Sequence, residues 1–304
     1  MIKSITVTNY LGESIKMELA RPELSGFAIK SITGLGAGTA NINTSEQATN
    51  DGSVYNSARV QNRNIVISLI YLWDGSIEDV RQKSYKYFPI KKKVKLLIET
   101  DNRKAEIEGY VESNEPDIFS DQEGSDISII CPNPYFYSAG ADGTHTTVFF
   151  GIEPMFEFPF SNESLSECLL EMGNIENQTE KVIVYSGDSE IGVTITIHAV
   201  GSAGNITIYN TGTREIMRIS NDKIAKMTGS GIITGDDIII CTIKGKKSIY
   251  LLRGGVTTNI LNCIDRNSSW FQLVKGDNIF AYTAESGSNN LQFKIENQIL
   301  YEGV

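Results

Sequence analysis

The sequence predicts a mostly β protein of two domains, built as a structural or binding part. Three observations carry that prediction. Short segments rich in Ile, Val and Thr recur along the chain, set apart by Gly, Asn and Asp, and only one stretch shows a helical period. The 304 residues exceed the roughly 100–200 of one ordinary domain, and residues 138–144, Ser-Ala-Gly-Ala-Asp-Gly-Thr, have the composition of a linker. The polar stretch 39–62 carries too few apolar residues to bury itself. The domains are therefore expected at 1–138 and 139–304, and residues 298–304 are candidates for a return to the first.

In the first domain, Ile5 and Val7 alternate with Thr6 and Thr8, the signature of a half-buried strand. Residues 27–32 read as a second strand. The stretch 39–62 offers a core only Ile42, Val54, Tyr55 and Val60. It reads either as disorder or as an extended hairpin arm that needs a partner. The arm's turn would be at Asn50, Asp51 and Gly52. Residues 64–71 form a strand rich in β-branched side chains. A helix follows, with Ser76 as N-cap, Glu78 and Asp79 in its first turn, and Ile77, Val80, Ser84 and Phe88 near one face. Pro89 stops it. The basic run Lys91, Lys92, Lys93 and Lys95 reads as the solvated end of that helix. Residues 94–99 and 105–112 pair as a hairpin turning at Asp101 and Asn102. A strand at 126–130 runs into Pro132 and Pro134, which cannot continue a ladder.

Beyond residue 146 no helix is expected. Strands are read at 181–185, 192–198, 205–209, 215–219, 237–243, 248–252, 278–283 and 291–295. That spacing suits a sandwich or barrel, and no fixed-period repeat is present.

Apolar residues make up 40% and charged residues 21%, a globular composition. The net charge of -10 argues against binding a nucleic-acid backbone or an anionic membrane surface. No apolar run approaches the roughly 18–20 residues of a membrane span, and the first ten residues alternate unlike a signal peptide. Cys131, Cys168, Cys241 and Cys263 are too far apart for a CxxC motif and read as reduced packing residues.

Signals for chemistry are weak. Gly34, Gly36 and Gly38 are similar to a phosphate loop, but no helix opens behind them and no Walker lysine follows. His145 and His198 lack ligand neighbours at HxH or HxxxH spacing. No GxSxG elbow marks a nucleophile. Asp236 and Asp237 read as a strand-initiating turn, with calcium the rival, although no DxDxDG loop is present. Trp73 and Trp270 read as core anchors before sugar platforms. No catalytic residue, metal ligand or cofactor is expected.

Several motifs, in order, carry a resemblance. They begin with 109–115 (Gly-Tyr-Val-Glu-Ser-Asn-Glu), Phe119-Ser120 and 127–138 (Ile-Ser-Ile-Ile-Cys-Pro-Asn-Pro-Tyr-Phe-Tyr-Ser). Upstream lie a strand, a long arm, Arg63-Asn-Ile-Val-Ile, a helix and a strand pair. Downstream lie 156–162 (Phe-Glu-Phe-Pro-Phe-Ser-Asn), Gly235-Asp-Asp, Lys247-Ser-Ile-Tyr, Trp270-Phe-Gln-Leu and the final Tyr301-Glu-Gly-Val. Together they resemble the distal tail proteins of siphophages, over nearly the whole chain.

That resemblance implies an N-terminal β-sandwich with one helix and a long hairpin arm, and a C-terminal galectin-like β-sandwich. It implies a homo-hexameric ring at the virion tail tip, assembled in the bacterial host cytoplasm. The arm would belt neighbouring subunits, with Tyr55, Arg59, Ile42 and Val54 as interface candidates. The major tail protein of the tail tube would bind one side, and a tail-associated lysin or tip protein the other. Some relatives carry receptor-binding proteins on the second domain. DNA would pass through the ring without specific binding, and an acidic lumen would suit that passage. The galectin sugar-binding pattern, His-x-Asn-x-Arg with Trp-x-x-Glu-x-Arg, is absent. The alternatives are a carbohydrate-binding or adhesin module, a glycoside hydrolase using two carboxylates, and the equivalent part of a prophage tail-like particle.

Overall fold

The structure is a computed structural model that describes residues 1–46, 51–72, 75–140, 143–154 and 173–304. Asn50 of the expected arm turn, Trp73, Cys168 and the motif at 156–162 lie outside the described residues. The chain divides into two compact units, Met1–Gly143 with Leu300–Val304, and Thr144–Ile299.

The first unit contains β1 (Ile2–Thr8), β2 (Ser14–Glu18), β3 (Phe27–Thr33), β4 (Ala40–Glu46), β5 (Ser53–Val60) and β6 (Arg63–Tyr71). Helix α1 (Ile77–Tyr87) follows, then β7 (Lys93–Thr100), β8 (Lys104–Asp117), β9 (Gly124–Cys131) and β10 (Phe136–Ser138). One antiparallel sheet runs β2-β1-β7-β8-β9-β6-β3, with β10 and the pair Leu300–Tyr301 added alongside β8. The sheet curls, so that its end strands β2 and β3 approach each other. The curl encloses a core of alternating inward residues, among them Val7, Met17, Ile67, Ile98, Ile107 and Ile129, each about 1% exposed or less. Period-2 alternation is what a sheet with one wet face requires.

Helix α1 lays Ile77, Val80 and Phe88 against this core. Its buried Ser84 meets the buried Asn114 of β8, whose amide also reaches Phe88 O, and Ser125 of β9 bonds the same Asn114. These buried polar groups satisfy one another and so fix the docking of the helix. Ser76 is the N-cap residue, as expected, in extended backbone, but it makes no side-chain cap bond. One expectation is corrected here. The lysine run is no helix end: α1 closes at Tyr87 with Lys86 in its last turn. Lys93 and Lys95 belong to β7, paired across the sheet with Glu108 at 2.7 Å and Glu106 at 2.6 Å. Strand β2, with only Ile15 and Met17 buried, has no counterpart in the sequence reading.

The second unit runs β11 (Thr144–Val148), β12 (Phe150–Pro154), β13 (Gly173–Asn177), β14 (Glu180–Tyr185), β15 (Ile191–Gly192), β16 (Thr194–Ala199), β17 (Ile206–Asn210) and β18 (Glu215–Ile219). Then come α2 (Asn221–Thr228), β19 (Asp237–Cys241), β20 (Ser248–Arg253), β21 (Val256–Asn259), β22 (Gln272–Leu273), β23 (Gly276–Ala284) and β24 (Leu291–Gln298). One sheet is ordered β11-β24-β16-β19-β20-β21 and another β14-β23-β17-β18. Aromatic rings join them: Tyr282 of β23 stacks on Phe293 of β24 with centroids 4.2 Å apart, and Phe149 meets both edge-on. Two antiparallel sheets sharing a buried aromatic core make a sandwich.

Helix α2 corrects the expectation of a helix-free second half. The Ser220 side chain accepts from Lys223 N, Gly229 closes the other end at φ 84°, and only Ile224 is buried. One apolar contact in eight residues gives too thin a period to read. The capping residues were its only legible signal.

Candidate assembly arm and its base

Among the described residues β4 and β5 pair only with each other, and every one of their residues is exposed. A two-stranded ribbon without a third strand or a covering helix is marginal in water. This one nevertheless displays Ile42 (60% exposed), Tyr55 (63%), Val54 and Val60.

The register sorts these side chains into two faces. Ile42 lies opposite Ala58, Ala40 opposite Val60, and Thr44 opposite Tyr55. With Glu46 opposite Ser53 at its outer end, they make one face, apolar at Ala40, Ile42, Tyr55, Ala58 and Val60, because alternate residues of β4 share a side and cross-strand partners share it too. Asn41 with Arg59, Asn43 with Ser57, and Ser45 with Val54 make the other, polar face. The register shifts between Asn43 and Thr44, leaving Asn56 as the extra residue of a bulge. The structure therefore brings Ile42 and Tyr55 together and sets Arg59 and Val54 on the opposite side. Plain alternation along β5 would group Tyr55 with Arg59; the bulge separates them.

The base of the arm is pinned by a residue that the sequence reading quoted in a motif and gave no role. Arg63 opens β6 and is 6% exposed. Its Nε donates to Pro134 O at 2.7 Å, Nη2 to Glu302 O at 2.7 Å, and Nη1 to both Gly34 O and Gly36 O. Its guanidinium lies 4.7 Å over the Phe136 ring. A planar fork with five donors can span four carbonyls in this way, and an ammonium cannot. Burial pushes the Arg63 pKa down, and the charge of the nearby Glu302 offsets this only in part. Gly34 has φ 84°, and a Cβ there would run into the Asn64 carbonyl. The glycine loop is thus the arm's anchored root. Gln61 N donates to Thr39 O at 2.9 Å, so the two ends of the arm meet.

The remaining sequence candidates are placed as follows. Asp236 is 1% exposed and bonds both Nε and Nη2 of Arg253, at 2.8 and 2.6 Å. That bond raises the Arg253 pKa. The guanidinium also reaches Thr228, Ser230 and Gly231, so this turn is a clamp on the loop after α2. His198 Nδ1 lies 2.7 Å from Asp237, half exposed on the outer side of β16, while Val193, Ile195 and Ile197 face the core. Trp270 carries Lys247 Nζ 5.3 Å from its ring centre, which occupies one face that sugar stacking would use. Cys131 and Cys263 are buried and free, Cys241 is partly buried and free, and burial pushes the Cys131 thiol up to about 11. Among the described residues no group of three His, Cys, Asp or Glu side chains could hold a metal ion, and no helix is long and apolar enough to cross a membrane.

No protein-family model matches the sequence, and no curated protein matches it. Solved structures do. The Dit protein of phage SPP1, described as a paradigm of the hub adsorption apparatus in phages infecting Gram-positive bacteria, superposes with a TM-score of 0.65 at 14% identity. That match covers 98% of this chain and 99% of the other. A chain of the phage P2 baseplate, in its activated calcium form, superposes with a TM-score of 0.51 at 11% identity, covering 98% of both. Both neighbours are phage tail components, a hub protein and a baseplate chain. Over nearly its whole length, the chain has the fold of the SPP1 hub protein.

Proposed function

We propose that this chain is a structural hub of a phage tail, acting by assembly and not by catalysis. The first domain, 1–138, builds a homo-hexameric ring at the virion tail tip. Its arm reaches a neighbouring copy and buries the face carrying Ile42 and Tyr55. The second domain, 139–304, is a galectin-like module that displays partners. The major tail protein of the tail tube lies on one side of the ring. A tail-associated lysin, tip protein or receptor-binding protein lies on the other. DNA passes through without specific contacts, and assembly takes place in the bacterial host cytoplasm.

The observation that carries this reading is the arm. A ribbon with one apolar face and no core of its own gains burial only from another molecule. The whole-chain likeness to a hub protein supplies the context. The experiment is light scattering on the purified chain and on Ile42→Asp/Tyr55→Asp. The wild type is expected at a hexamer and the variant at a smaller species. A wild type that stays monomeric at every concentration, or a variant that assembles unchanged, would contradict the reading.

A further inference from the structure

Two surface features of the first unit lie apart from the arm. The first is the tip joining β8 to β9. The pair Asp117–Gly124 closes the hairpin, and Ile118 and Phe119 stand beyond it, 44% and fully exposed. The tip is held firmly: Glu123 bonds Arg81 of α1 at 2.8 Å, and its carbonyl accepts from Tyr71 N. Asp117 and Asp121 flank Phe119 in the sequence, two residues to either side, and neither has an ion-pair partner among the described residues.

The second feature lies at the other end of α1. Tyr10 and Leu11 form the β1–β2 turn, and Ile90 follows the helix; all three are more than half exposed. Asn9 holds the turn to Lys86 O, and Lys92 Nζ lies 5.2 Å from the Tyr10 ring centre. Lys91, fixed at φ 63°, and Lys92 have no carboxylate partner among the described residues. Their neighbours are paired: Lys86 with Glu13, and Lys93 with Glu108. Their contacts with α1, at Arg81 and at Lys86, lie five residues or roughly 7 Å apart along the helix.

One feature is an apolar knob with an unpaired acidic rim. The other is an apolar patch with an unpaired basic rim. A phenyl ring standing wholly in water gains from burial, and opposite rims fix the register of a contact. Because the two differ and each is held at its own place on the unit, by Arg81 and by Lys86, they do not serve each other within one copy. They suit a head-to-tail contact between copies, the type that closes into rings. We propose that the Phe119 tip of one copy seats against the Tyr10–Leu11–Ile90 patch of the next, with Asp117 and Asp121 meeting Lys91 and Lys92. This contact rests on the ring reading above and adds a second interface, independent of the arm.

The test uses the full chain and sedimentation velocity. Phe119→Ser, Lys91→Glu/Lys92→Glu and Asp117→Lys/Asp121→Lys should each weaken self-association roughly 30-fold, the order of a hot-spot loss. Their melting temperatures should stay at the wild-type value. Combining both charge reversals in one chain should restore association. A photo-crosslinker at position 119 should link to residues 10–11 or 90–92 of an isotopically distinct copy. Charge variants that assemble normally, a combination that fails to restore, or a crosslink elsewhere would overturn the contact. If those variants assemble normally while Ile42→Asp/Tyr55→Asp does not, this contact fails and the ring reading stands. A wild type that is only monomeric overturns both.

Discussion

β5 and β6 are consecutive strands of nearly equal length, separated only by Gln61 and Asn62. Every residue of β5 is exposed, while β6 is buried at each alternate position from Arg63 to Tyr71. β6 sits between β3 and β9 in the sheet, whereas among the described residues β5 has β4 alone. Strand propensity is therefore not what separates them; access to a core is. The same backbone geometry serves internal stability in one strand and is left with a bare apolar face in the other. Arg63 stands at the boundary, tying the arm's root to carbonyls at Gly34, Gly36, Pro134 and Glu302.

If that contrast is right, losses of stability should fall steeply from the boundary and β6 towards the arm. The largest is expected for Arg63→Ala. It leaves buried carbonyls without donors and should destabilise the first unit by about 4 kcal/mol. Arg63→Lys should recover only part of this, because three donors on a point charge cannot copy the fork. Denaturant midpoints measure both, and equal midpoints for the lysine variant and wild type would remove the clamp argument. Ile67→Ala, in the fully buried part of β6, should cost about 3 kcal/mol through lost burial and a cavity. Ile42→Ala on the arm should change stability by less than about 0.5 kcal/mol. A comparable loss at both positions would show that the arm packs on its own chain.

A smaller effect is electrostatic. Lys104 and Ser4 hydrogen-bond Glu99 and hold its pKa down to about 2, with Lys16 adding to the field. A carboxylate whose pKa is lower folded than unfolded adds stability above its unfolded pKa, near 4.5. That stability is lost as pH falls towards 2. Glu99→Gln should therefore leave acid unfolding less steep between those values while changing little at neutral pH. An unchanged acid slope would show that the Lys104 contact is screened away.

How much of this was legible in the sequence depends on what each feature is made of. The run of β-branched residues at 64–71 is written in side chains and gave β6 directly. The arm could be read because 39–62 so plainly lacks a core. The mostly β class follows from the same patterns. What could not be read is built from backbone or from distant pairing. Arg63 bonds four carbonyls, one of them 239 positions away, and carbonyls have no signature. Asp236 suggested a turn because its partner Arg253 lies a strand further on. The faces of Ile42, Tyr55 and Arg59 turn on one bulge at Asn56, which alternation cannot foresee. The Phe119 tip was noticed only as a motif, since exposure is a property of the fold.

The central claim is that the arm serves assembly and nothing within its own chain. Because Thr39 and Gln61 are hydrogen-bonded at the root, residues 40–60 can be replaced by a short turn without opening the sheet. Sedimentation velocity and thermal unfolding of that chain beside the wild type test the claim most directly. The account predicts a wild type at six times the 33.5 kDa chain mass, and an armless chain that melts at the same temperature but no longer forms that ring. An armless chain that assembles like the wild type, or one that loses several degrees of melting temperature, would contradict it.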